Sequence, residues 1–388
     1  MIEINEAINI ITNNSTLLKE KEMDIIDVLN HCLSEDIFSP MFLPPFDQSA
    51  MDGYAVCGEF ETYKLVGEVQ AGDAVSFRIN KGEACRIFTG AITPEGTTAI
   101  AKQEIVKRNN NEIRILEKVK EGTSIRRKGE ELEKGALVIK KSTLLTPAAI
   151  GLLSGLGLEK VKVISQPKIT VIVTGNELTP LGQELKEGKI YESNSYTLRS
   201  VLQSVGYNSE VLRVKDDFED TKRVISNAIE KSDVVIMTGG ISVGDYDFVG
   251  KALESLGVEQ AFYKVNQKPG KPIFYGTKDK VKIFGLPGNP AAVLTCFYMY
   301  VVPAIRKMTG YSNPLLEKRE VMLGHDYVKK GTRSYILKAK VKNGQVKIHS
   351  GQSSAMLSSF VDANCLLLID SEEGTLKAGE KVTVYMLP

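Results

Sequence analysis

The run Ile169-Thr-Val-Ile-Val-Thr174 decides the fold class, because it is mostly apolar and every residue in it is β-branched. Such a run is typical of a strand that is buried on both faces. Residues 233–238 and 281–286 repeat the pattern further along the chain. Segments with helical periodicity lie at about 195–205, 219–231 and 247–256. Alternating strands and helices predict a doubly wound parallel α/β sheet with right-handed crossovers over residues 168–312.

The segments before this domain are predicted to be of two kinds. Residues 1 to about 40 have the spacing of apolar residues that favours a helix. The apolar positions are Met23, Ile26, Leu29 and Leu33. Residues from about 55 to 140 carry the short runs of a small β domain, with a hairpin turn at 109–111. Pro147 then opens a predicted helix over 147–157.

The last segment, from about residue 315, is predicted to be β structure again. Residues 334–341 and 345–349 are two strand-like runs. They flank Asn343-Gly344, the strongest short signal for a β-hairpin. Gly310 is a candidate C-terminal cap for the helix before this segment.

Composition excludes several functional classes. Lys and Arg number 49 and Asp and Glu 48, so no bulk charge favours nucleic acid or a membrane surface. No apolar run is expected to be long enough to cross a membrane, and the first residues do not resemble a signal peptide. The five cysteines and three histidines are scattered, which argues against zinc sites and Ser/His/Asp hydrolysis. We therefore expect a cytoplasmic protein.

Each of the three apolar strands runs directly into a turn that contains glycine. These turns begin at Gly175, at Gly239-Gly240 and at Gly288. The carboxyl ends of parallel strands meet at one edge of a sheet, and ligands bind in the crevice there. The sequence therefore predicts that the three loops converge on one site.

The residues of these loops favour an anionic, phosphate-bearing ligand. Gly239 and Gly240 allow close approach of backbone N–H groups, and Ser242 adds a hydroxyl donor. Asn289 and Pro290 open a long apolar helix, whose N-terminus attracts anions. The segment Lys268-Pro-Gly-Lys-Pro272 adds two cations on a stiff turn.

Acidic residues share the same loops. Glu177, Asp245 and Asp247 lie there, and Asp216-Asp217 follows another strand-like run. A carboxylate about 4 Å from a phosphate is repelled by roughly 4 kcal/mol at intermediate dielectric. These acids therefore belong to the site only if Mg²⁺ lies between, or if they accept hydrogen bonds from a heterocycle.

A set of motifs spread along the whole chain resembles the molybdopterin molybdenumtransferase family of the MoeA type, which is related to the gephyrin E domain. The motifs are PPFDQSAMDGYA, RIFTGA, IRRKGEE, TGNEL, GKIYESNS, TGGISVGDYD, KPGKP and GLPGNP. The resemblance implies insertion of molybdate into adenylated molybdopterin, release of AMP, assistance by Mg²⁺, and a homodimer. It also implies four domains. These are an elongated helical domain (1–45 plus 141–167), an inserted β domain (46–140), a molybdopterin-binding α/β domain (168–312) and a C-terminal β barrel (313–388).

The resemblance also assigns roles to individual residues. The matching functional acids are Asp52, Glu131, Glu177, Asp216 or Asp217, and Asp247, with the metal expected at Asp216, Asp217 and Asp247. The expected substrate-binding residues are Thr238, Gly239, Gly240, Ser242, Asp245, Lys268, Lys271, Pro272, Gly288, Asn289, Arg333, Ser353 and Ser354. Two positions depart from the family pattern. Glu131 stands where Asp is usual, and Asn176 stands where many relatives carry Asp, which leaves Glu177 as the essential acid of its loop.

Other functions remain open at this point. An adenylyltransferase that activates molybdopterin with ATP would resemble residues 168–312 alone, so the flanking domains argue against it. A non-enzymatic scaffold of the gephyrin kind would carry a further fused domain. Tungstate could replace molybdate. The expected partners are adenylated molybdopterin, molybdate and a second copy of the chain, with the adenylyltransferase and apo-molybdoenzymes as further candidates.

Overall fold

A computed structural model describes residues 1–240 and 248–388. Its contacts divide the chain into two compact units. The larger unit comprises Met1–Ser34, Ser142–Thr146 and Lys160–Pro388, and the smaller unit comprises Glu35–Lys141 and Pro147–Glu159. Each unit is described by itself below.

The elements up to residue 164 are mostly short strands. In chain order they are α1 (Ile4–Asn14), β1 (Glu20–Asp24), β2 (Ile37–Phe38), β3 (Gln48–Ser49), β4 (Gly53–Val56), β5 (Thr62–Val69), β6 (Glu83–Ile87), β7 (Ala99–Lys102), β8 (Val106–Asn109), β9 (Glu112–Ile115), β10 (Ile125–Arg126), β11 (Leu137–Ile139), α2 (Pro147–Gly155) and β12 (Lys160–Ile164). Short 3₁₀ helices lie at Ile25–Asp27 and Gln103–Ile105.

Helices and strands then alternate up to residue 308. The elements are β13 (Ile169–Thr174), β14 (Leu178–Thr179), β15 (Ile190–Tyr191), α3 (Asn194–Ser204), β16 (Ser209–Val214), α4 (Phe218–Lys231), β17 (Val234–Thr238), α5 (Phe248–Ser255), β18 (Glu259–Tyr263), β19 (Gln267–Lys268), β20 (Phe274–Lys278), β21 (Val281–Leu286), α6 (Pro290–Cys296), a π turn (Phe297–Val301) and α7 (Val302–Met308).

The remaining elements are strands and one 3₁₀ helix. They are β22 (Lys318–Leu323), β23 (Tyr327–Val328), β24 (Ser334–Lys342), β25 (Gln345–Ile348), the 3₁₀ helix Leu357–Phe360, β26 (Cys365–Ile369), β27 (Thr375–Leu376) and β28 (Lys381–Met386).

The predicted long N-terminal helix is wrong beyond residue 14. Residues 20–24 form β1, which pairs antiparallel with β12. The apolar positions that favoured a helix do not share a buried face, because Ile26 is 78% exposed while Leu33 is fully buried. Asn30 also adopts a φ of 62°, which is incompatible with a continuous right-handed helix.

The central sheet of the larger unit has the strand order β16-β13-β17-β21-β20-β18. The first four strands are parallel, as predicted for β13, β17 and β21 from their apolar runs. The last two differ from the wholly parallel sheet that was predicted, since β20 and β18 are antiparallel to their neighbours. The reason is local: only Asp279 and Lys280 separate β20 from β21, and a two-residue connection makes a hairpin.

Helices cover both faces of this sheet, which confirms the doubly wound arrangement. The apolar sides of α1, α3, α6 and α7 belong to one core cluster with the sheet. The apolar sides of α4 and α5 form the other cluster. Helix α1 therefore belongs to the α/β core, where Ala7 and Ile11 have no exposed surface.

The helical stretch Pro290–Met308 corrects one expectation from the sequence. Its length and composition would allow it to cross a membrane, with a mean hydropathy of 1.2. However, 83% of this window is buried inside the protein. Its apolar character is explained by packing against the sheet, where Val293, Tyr300 and Ile305 are buried.

The C-terminal part of the larger unit is a closed five-stranded barrel. Strands β24, β25, β22, β28 and β26 are neighbours in that order, and β26 returns to pair with β24. The hairpin at Asn343-Gly344 is confirmed, with both residues at positive φ. Strand β19 pairs in parallel with the first two residues of β24, with Gln267 opposite Ser334.

The smaller unit contains a six-stranded sheet with the order β7-β4-β6-β5-β9-β8. Alternate residues fill two core clusters, one on each face, with Tyr54 on one side and Ala55 on the other. Asn110, at a φ of 53°, lies in the predicted turn between β8 and β9. Helix α2 begins at Pro147, as predicted.

Ile11→Ala tests whether α1 is part of the α/β core. The side chain is fully buried, so the substitution should lower the free energy of unfolding by about 2–5 kcal/mol. Urea denaturation of the full chain measures this, and Asn13→Ala on the exposed side of the same helix is the control. Equal midpoints for the two variants would show that α1 does not pack in this core.

Candidate functional site

The loops that follow β13, β17 and β21 converge at the carboxyl edge of the sheet, as predicted. They line one cavity of about 400 Å³. The predicted residues in its lining are Glu177, Thr238, Gly239, Gly240, Pro272, Gly288 and Asn289. The motif GKIYESNS contributes Glu192 and Asn194 to the same wall.

Asn194 connects two of these loops. Its Nδ2 donates to Thr238 Oγ1 (2.9 Å) and to the carbonyl of Gly288 (2.8 Å). Thr238, which is fully buried, in turn donates to the carbonyl of Pro287 (3.1 Å). The Oδ1 atom of Asn194 is buried and has no partner among the described residues, so it can accept a hydrogen bond from a ligand. The motif was noticed in the sequence, but Asn194 was not predicted as a site residue.

Only glycine can occupy position 239, because both its backbone conformation and its surroundings exclude a side chain. Its φ is +89°, and a Cβ atom there would lie 2.3 Å from the carbonyl oxygen of Thr174. Gly240 has a φ of +65°, and a Cβ atom there would lie 2.9 Å from Val249 Cγ2. The backbone after β17 therefore approaches the crevice closely, as the anion-binding prediction requires.

Glu192 is the most deeply buried acid of the crevice and was not predicted. It is 2% exposed and accepts hydrogen bonds from the N–H and hydroxyl of Ser195. Arg213 Nη2 lies 3.4 Å from its carboxylate. Glu192 therefore fixes the start of α3, the helix on which Asn194 is placed.

The two adjacent acids after β16 have different surroundings. Asp216 accepts hydrogen bonds from Thr174 Oγ1 (2.6 Å) and from the N–H of Asn176 (2.8 Å). Asp217 is the N-cap of α4 and accepts from the N–H of Asp220 (2.9 Å). Asp216 is thus fixed to the loop after β13, whereas Asp217 caps a helix.

A second cavity, of about 660 Å³, lies between the sheet and the barrel of the larger unit. It brings together the remaining substrate-binding residues that were predicted and described. They are Lys268, Lys271, Arg333, Ser353 and Ser354. Pro272, Pro287 and Asn289 also line the first cavity, so the two adjoin. We call them together the groove.

Buried polar groups fix the backbone of the turn Lys268–Pro272, which we call the lysine turn. Gln267 is fully buried and donates to the carbonyl of Gly270 (3.1 Å), while Tyr300 donates to Gln267. Gly270 has a φ of +81°, and a Cβ atom there would lie 2.3 Å from Cys296 Sγ. The two lysines therefore extend from a tightly constrained backbone.

Two hydrogen bonds join the α/β part of the larger unit to the barrel at the groove. Asn289 Nδ2 donates to Ser354 Oγ (3.0 Å), and Arg333 Nη1 donates to the carbonyl of Gln267 (3.4 Å). Lys268 Nζ lies 5.1 Å from the centre of the Tyr335 ring. Tyr335 and Gln352 also line the groove, and no local sequence signal indicated either residue.

The other predicted acids belong to the smaller unit. Asp52 accepts hydrogen bonds from the N–H and the hydroxyl of Thr89 (both 2.8 Å), and these lower the pKa of its carboxyl. Glu131 lies 3.5 Å from Arg126 Nη2. Both acids are therefore held by residues of the motifs that carried the family resemblance.

Asp47 joins two motifs of the smaller unit and was not predicted as a site residue. Its carboxylate accepts from Arg127 Nη1 (2.7 Å) and from the N–H of Lys128 (2.8 Å). Partial burial opposes ionisation of Asp47, but these donors outweigh it and lower the pKa of the carboxyl. PPFDQSAMDGYA and IRRKGEE therefore form one cluster, next to the β3–β10 pair.

Three predicted residues, Ser242, Asp245 and Asp247, lie outside the described residues. Within residues 1–240 and 248–388, no three His, Cys, Asp or Glu side chains are grouped closely enough to hold a metal ion alone.

Fold and groove define a class of protein: an α/β domain joined to a β barrel, with a groove between them that is lined by Lys268, Lys271 and Arg333. Sequence models of three family domains match the chain. They are the MoeA N-terminal region, domains I and II (residues 2–157), a probable molybdopterin binding domain (170–307) and the MoeA C-terminal region, domain IV (320–387).

Relatives and solved structures agree with these matches. The chain is 34% identical to a molybdopterin molybdenumtransferase of Haemophilus influenzae, over 93% of this chain and 92% of the relative. It is 33% identical to one of Nostoc, over 100% and 94%. The structure of a molybdopterin biosynthesis MoeA protein from Pyrococcus horikoshii matches with a TM-score of 0.83 at 28% identity, covering 100% of both chains.

The chain belongs to the MoeA family of molybdopterin molybdenumtransferases. It is accordingly an enzyme of molybdenum cofactor biosynthesis, a transferase that introduces molybdenum into molybdopterin.

Gly270→Ala tests the constraint on the lysine turn without removing a charge. The new Cβ would meet Cys296 Sγ, so the turn must shift and the two lysines with it. An oxyanion that binds at the two lysines, with molybdate as the one tested, should then bind about tenfold more weakly, as for the loss of one charge-assisted hydrogen bond. Gly257→Ala is the control, because Gly257 also has a positive φ (+71°) but no atom near its Cβ position. Unchanged molybdate affinity in Gly270→Ala, measured by calorimetry, would contradict the constraint.

Proposed function

We propose that the chain inserts molybdate into the dithiolene of adenylated molybdopterin and releases AMP. The observation that carries this proposal is the groove. Three cations, Lys268, Lys271 and Arg333, line the same cavity as Ser353 and Ser354. Molybdate is a dianion with four oxygens, and cations with hydroxyl donors are the groups that bind such an ion. The proposal therefore assigns molybdate to the barrel side of the groove.

The sheet side of the groove suits the organic substrate. Gly239 and Gly240 bring the backbone close to the crevice, and the adjoining Asn289 begins α6 with Pro290 at its first position. Both features favour phosphate oxygens. Glu177 and the free Oδ1 of Asn194 are acceptors for N–H groups of the pterin. Substrate and molybdate would then meet where the two cavities share Pro272 and Pro287.

The residues that line the groove act by position and charge. No histidine or cysteine is among the described residues of its lining. In this mechanism the protein binds both substrates next to each other and stabilises negative charge, without a protein nucleophile.

Mg²⁺ is the proposed cofactor, and Asp216 is the described residue that fits it best. A single carboxylate together with substrate phosphate oxygens is a common Mg²⁺ environment. Asp216 is oriented by Thr174 and Asn176, and its carboxylate keeps lone pairs for a cation. When bound, Mg²⁺ would neutralise phosphate charge. Asp217 fits less well because it caps α4. Asp247 is the second proposed ligand.

The proposal includes a cytoplasmic homodimer in which Asp52 is supplied by the partner subunit. The alternatives stay distinct from it. An adenylyltransferase would consume ATP with free molybdopterin, a tungstate-inserting enzyme would prefer tungstate, and a scaffold would have no turnover. The adenylyltransferase and apo-molybdoenzymes remain proposed partners for delivery and acceptance.

Lys271→Gln and Arg333→Gln test the assignment of molybdate. Each removes one cation from the groove, so molybdate-dependent AMP release from adenylated molybdopterin should fall by roughly tenfold to hundredfold. Lys330→Gln is the control and should retain activity, because Lys330 is an exposed residue of the loop that carries Arg333. Full AMP release in both groove variants would refute the assignment, and ATP consumption with free molybdopterin would favour the adenylyltransferase.

Asp216→Asn and Asp217→Asn separate the two candidate Mg²⁺ ligands. We expect Asp216→Asn to raise the Mg²⁺ concentration for half-maximal AMP release, because it removes the negative charge of the ligand. Asp217→Asn should lower stability slightly, because Asn is nearly as good an N-cap as Asp, and should leave the Mg²⁺ requirement unchanged. The reverse pattern would assign the metal to Asp217.

A further inference from the structure

Two lysines in the barrel are buried without a carboxylate partner. Lys338 is 1% exposed and Lys329 is 8% exposed, although lysine is rarely buried unless it is paired. None of the ion pairs among the described residues includes either of them. Their ammonium groups must therefore be compensated in another way.

Lys338 is compensated by the backbone of the loop that carries the two serines. Its Nζ donates to the carbonyls of Ser353 (3.2 Å) and Met356 (2.9 Å). These carbonyls lie at the two ends of a short segment that contains Ser354. A single ammonium thus fixes both ends of the segment that presents hydroxyls to the groove.

Gln352 holds the start of the same loop to the same strand. Its Nε2 donates to the carbonyls of Lys338 and His349 (both 2.8 Å), and its Oε1 accepts from the N–H of Lys338 (3.1 Å). Because Gln352 itself lines the groove, the loop is attached to β24 immediately before Ser353. We call residues 352–356 the serine loop. It has two independent attachments to Lys338, one to the side chain of Lys338 and one to the backbone of Lys338.

Lys329 holds the other loop of the barrel in a similar way. Its Nζ donates to the carbonyl of Arg333 (3.3 Å), to that of Ser371 (2.7 Å) and to that of Asp370. The hydroxyl of Tyr335 donates to the carbonyl of Lys330 within this loop. Hydrogen bonds through Lys329 therefore connect the backbone that carries Arg333 to the turn after β26.

We propose that Lys329 and Lys338 are positioning residues for the oxyanion: each fixes one groove loop through backbone carbonyls, one for Arg333 and one for Ser353 and Ser354. The inference rests on the proposed function of the groove. Because no carboxylate neutralises them, both lysines also add positive charge behind the loops that contact the anion. Donors that are held before the ligand arrives cost less to order on binding.

Lys338→Met tests the proposal, because it keeps a flexible stem and removes the ammonium. Molybdate should bind this variant about tenfold to hundredfold more weakly, as for the loss of charged hydrogen bonds. Lys340→Met is the matched control. It removes an equal charge from the same strand, but its side chain is 40% exposed and paired with Asp362. Lys338→Arg keeps the charge and should recover most of the affinity.

Hydrogen exchange of the full chain gives a readout that needs no ligand. The amides of Met356 and Leu357 are bonded within the serine loop, and they should exchange faster in Lys338→Met than in wild type or Lys340→Met. Equal exchange in Lys338→Met and Lys340→Met would overturn the positioning role. Equal loss of molybdate affinity in these two variants would also overturn it, because bulk charge would then explain the effect.

Two further comparisons keep the test decisive. If Lys338→Met does not fold, Lys329→Met applies the same test to the Arg333 loop, where faster exchange is expected for residues 330–334. If the wild type binds no molybdate, the proposed function fails, while the exchange measurement still decides whether the lysines hold the loops.

Discussion

The pairing of β19 with β24 is the constraint on which the groove depends. It places Gln267 beside Ser334 and Lys268 beside Tyr335, and so joins a segment of the α/β part to the longest strand of the barrel. Without this short ladder, the lysine turn and the serine loop would have no common register. Its importance follows from geometry, because contacts of a few ångströms require both loops to be fixed to the same backbone.

Buried polar groups support this pairing from beneath. Gln267 satisfies the carbonyl of Gly270 and is itself bonded by Tyr300 from the π turn of the long apolar helix. Lys329 and Lys338 likewise donate hydrogen bonds to backbone carbonyls in loops of the barrel. Such groups are costly to bury, and they stabilise a fold only when their hydrogen bonds are made. In return they specify one arrangement of loops that apolar packing alone would leave free.

The sequence could predict the parts of this site that depend on local pattern. The run at 169–174, its two repeats and the hairpin at Asn343-Gly344 were correctly predicted because burial and turn chemistry are encoded within a few residues. The helix expected over Met23 to Leu33 was wrong, since periodicity does not reveal which side is covered. The roles of Lys338 and Gln352 depend on strand register between distant segments, and a lysine in a sequence gives no sign that it is buried.

The distribution of charge indicates how such a site can work without a histidine or a cysteine in its described lining. Cations are concentrated on the barrel side, at Lys268, Lys271 and Arg333, while Glu177 and Glu192 lie on the sheet side. Under the proposed function, these cations would attract the molybdate dianion to one end of the groove, and Glu177 would accept hydrogen bonds from N–H groups of the pterin at the other. The same charges that would give affinity for each ligand would therefore also favour one orientation of the two ligands in the groove. In the proposed function, the two ligands would meet at the residues that the two cavities share, Pro272, Pro287 and Asn289.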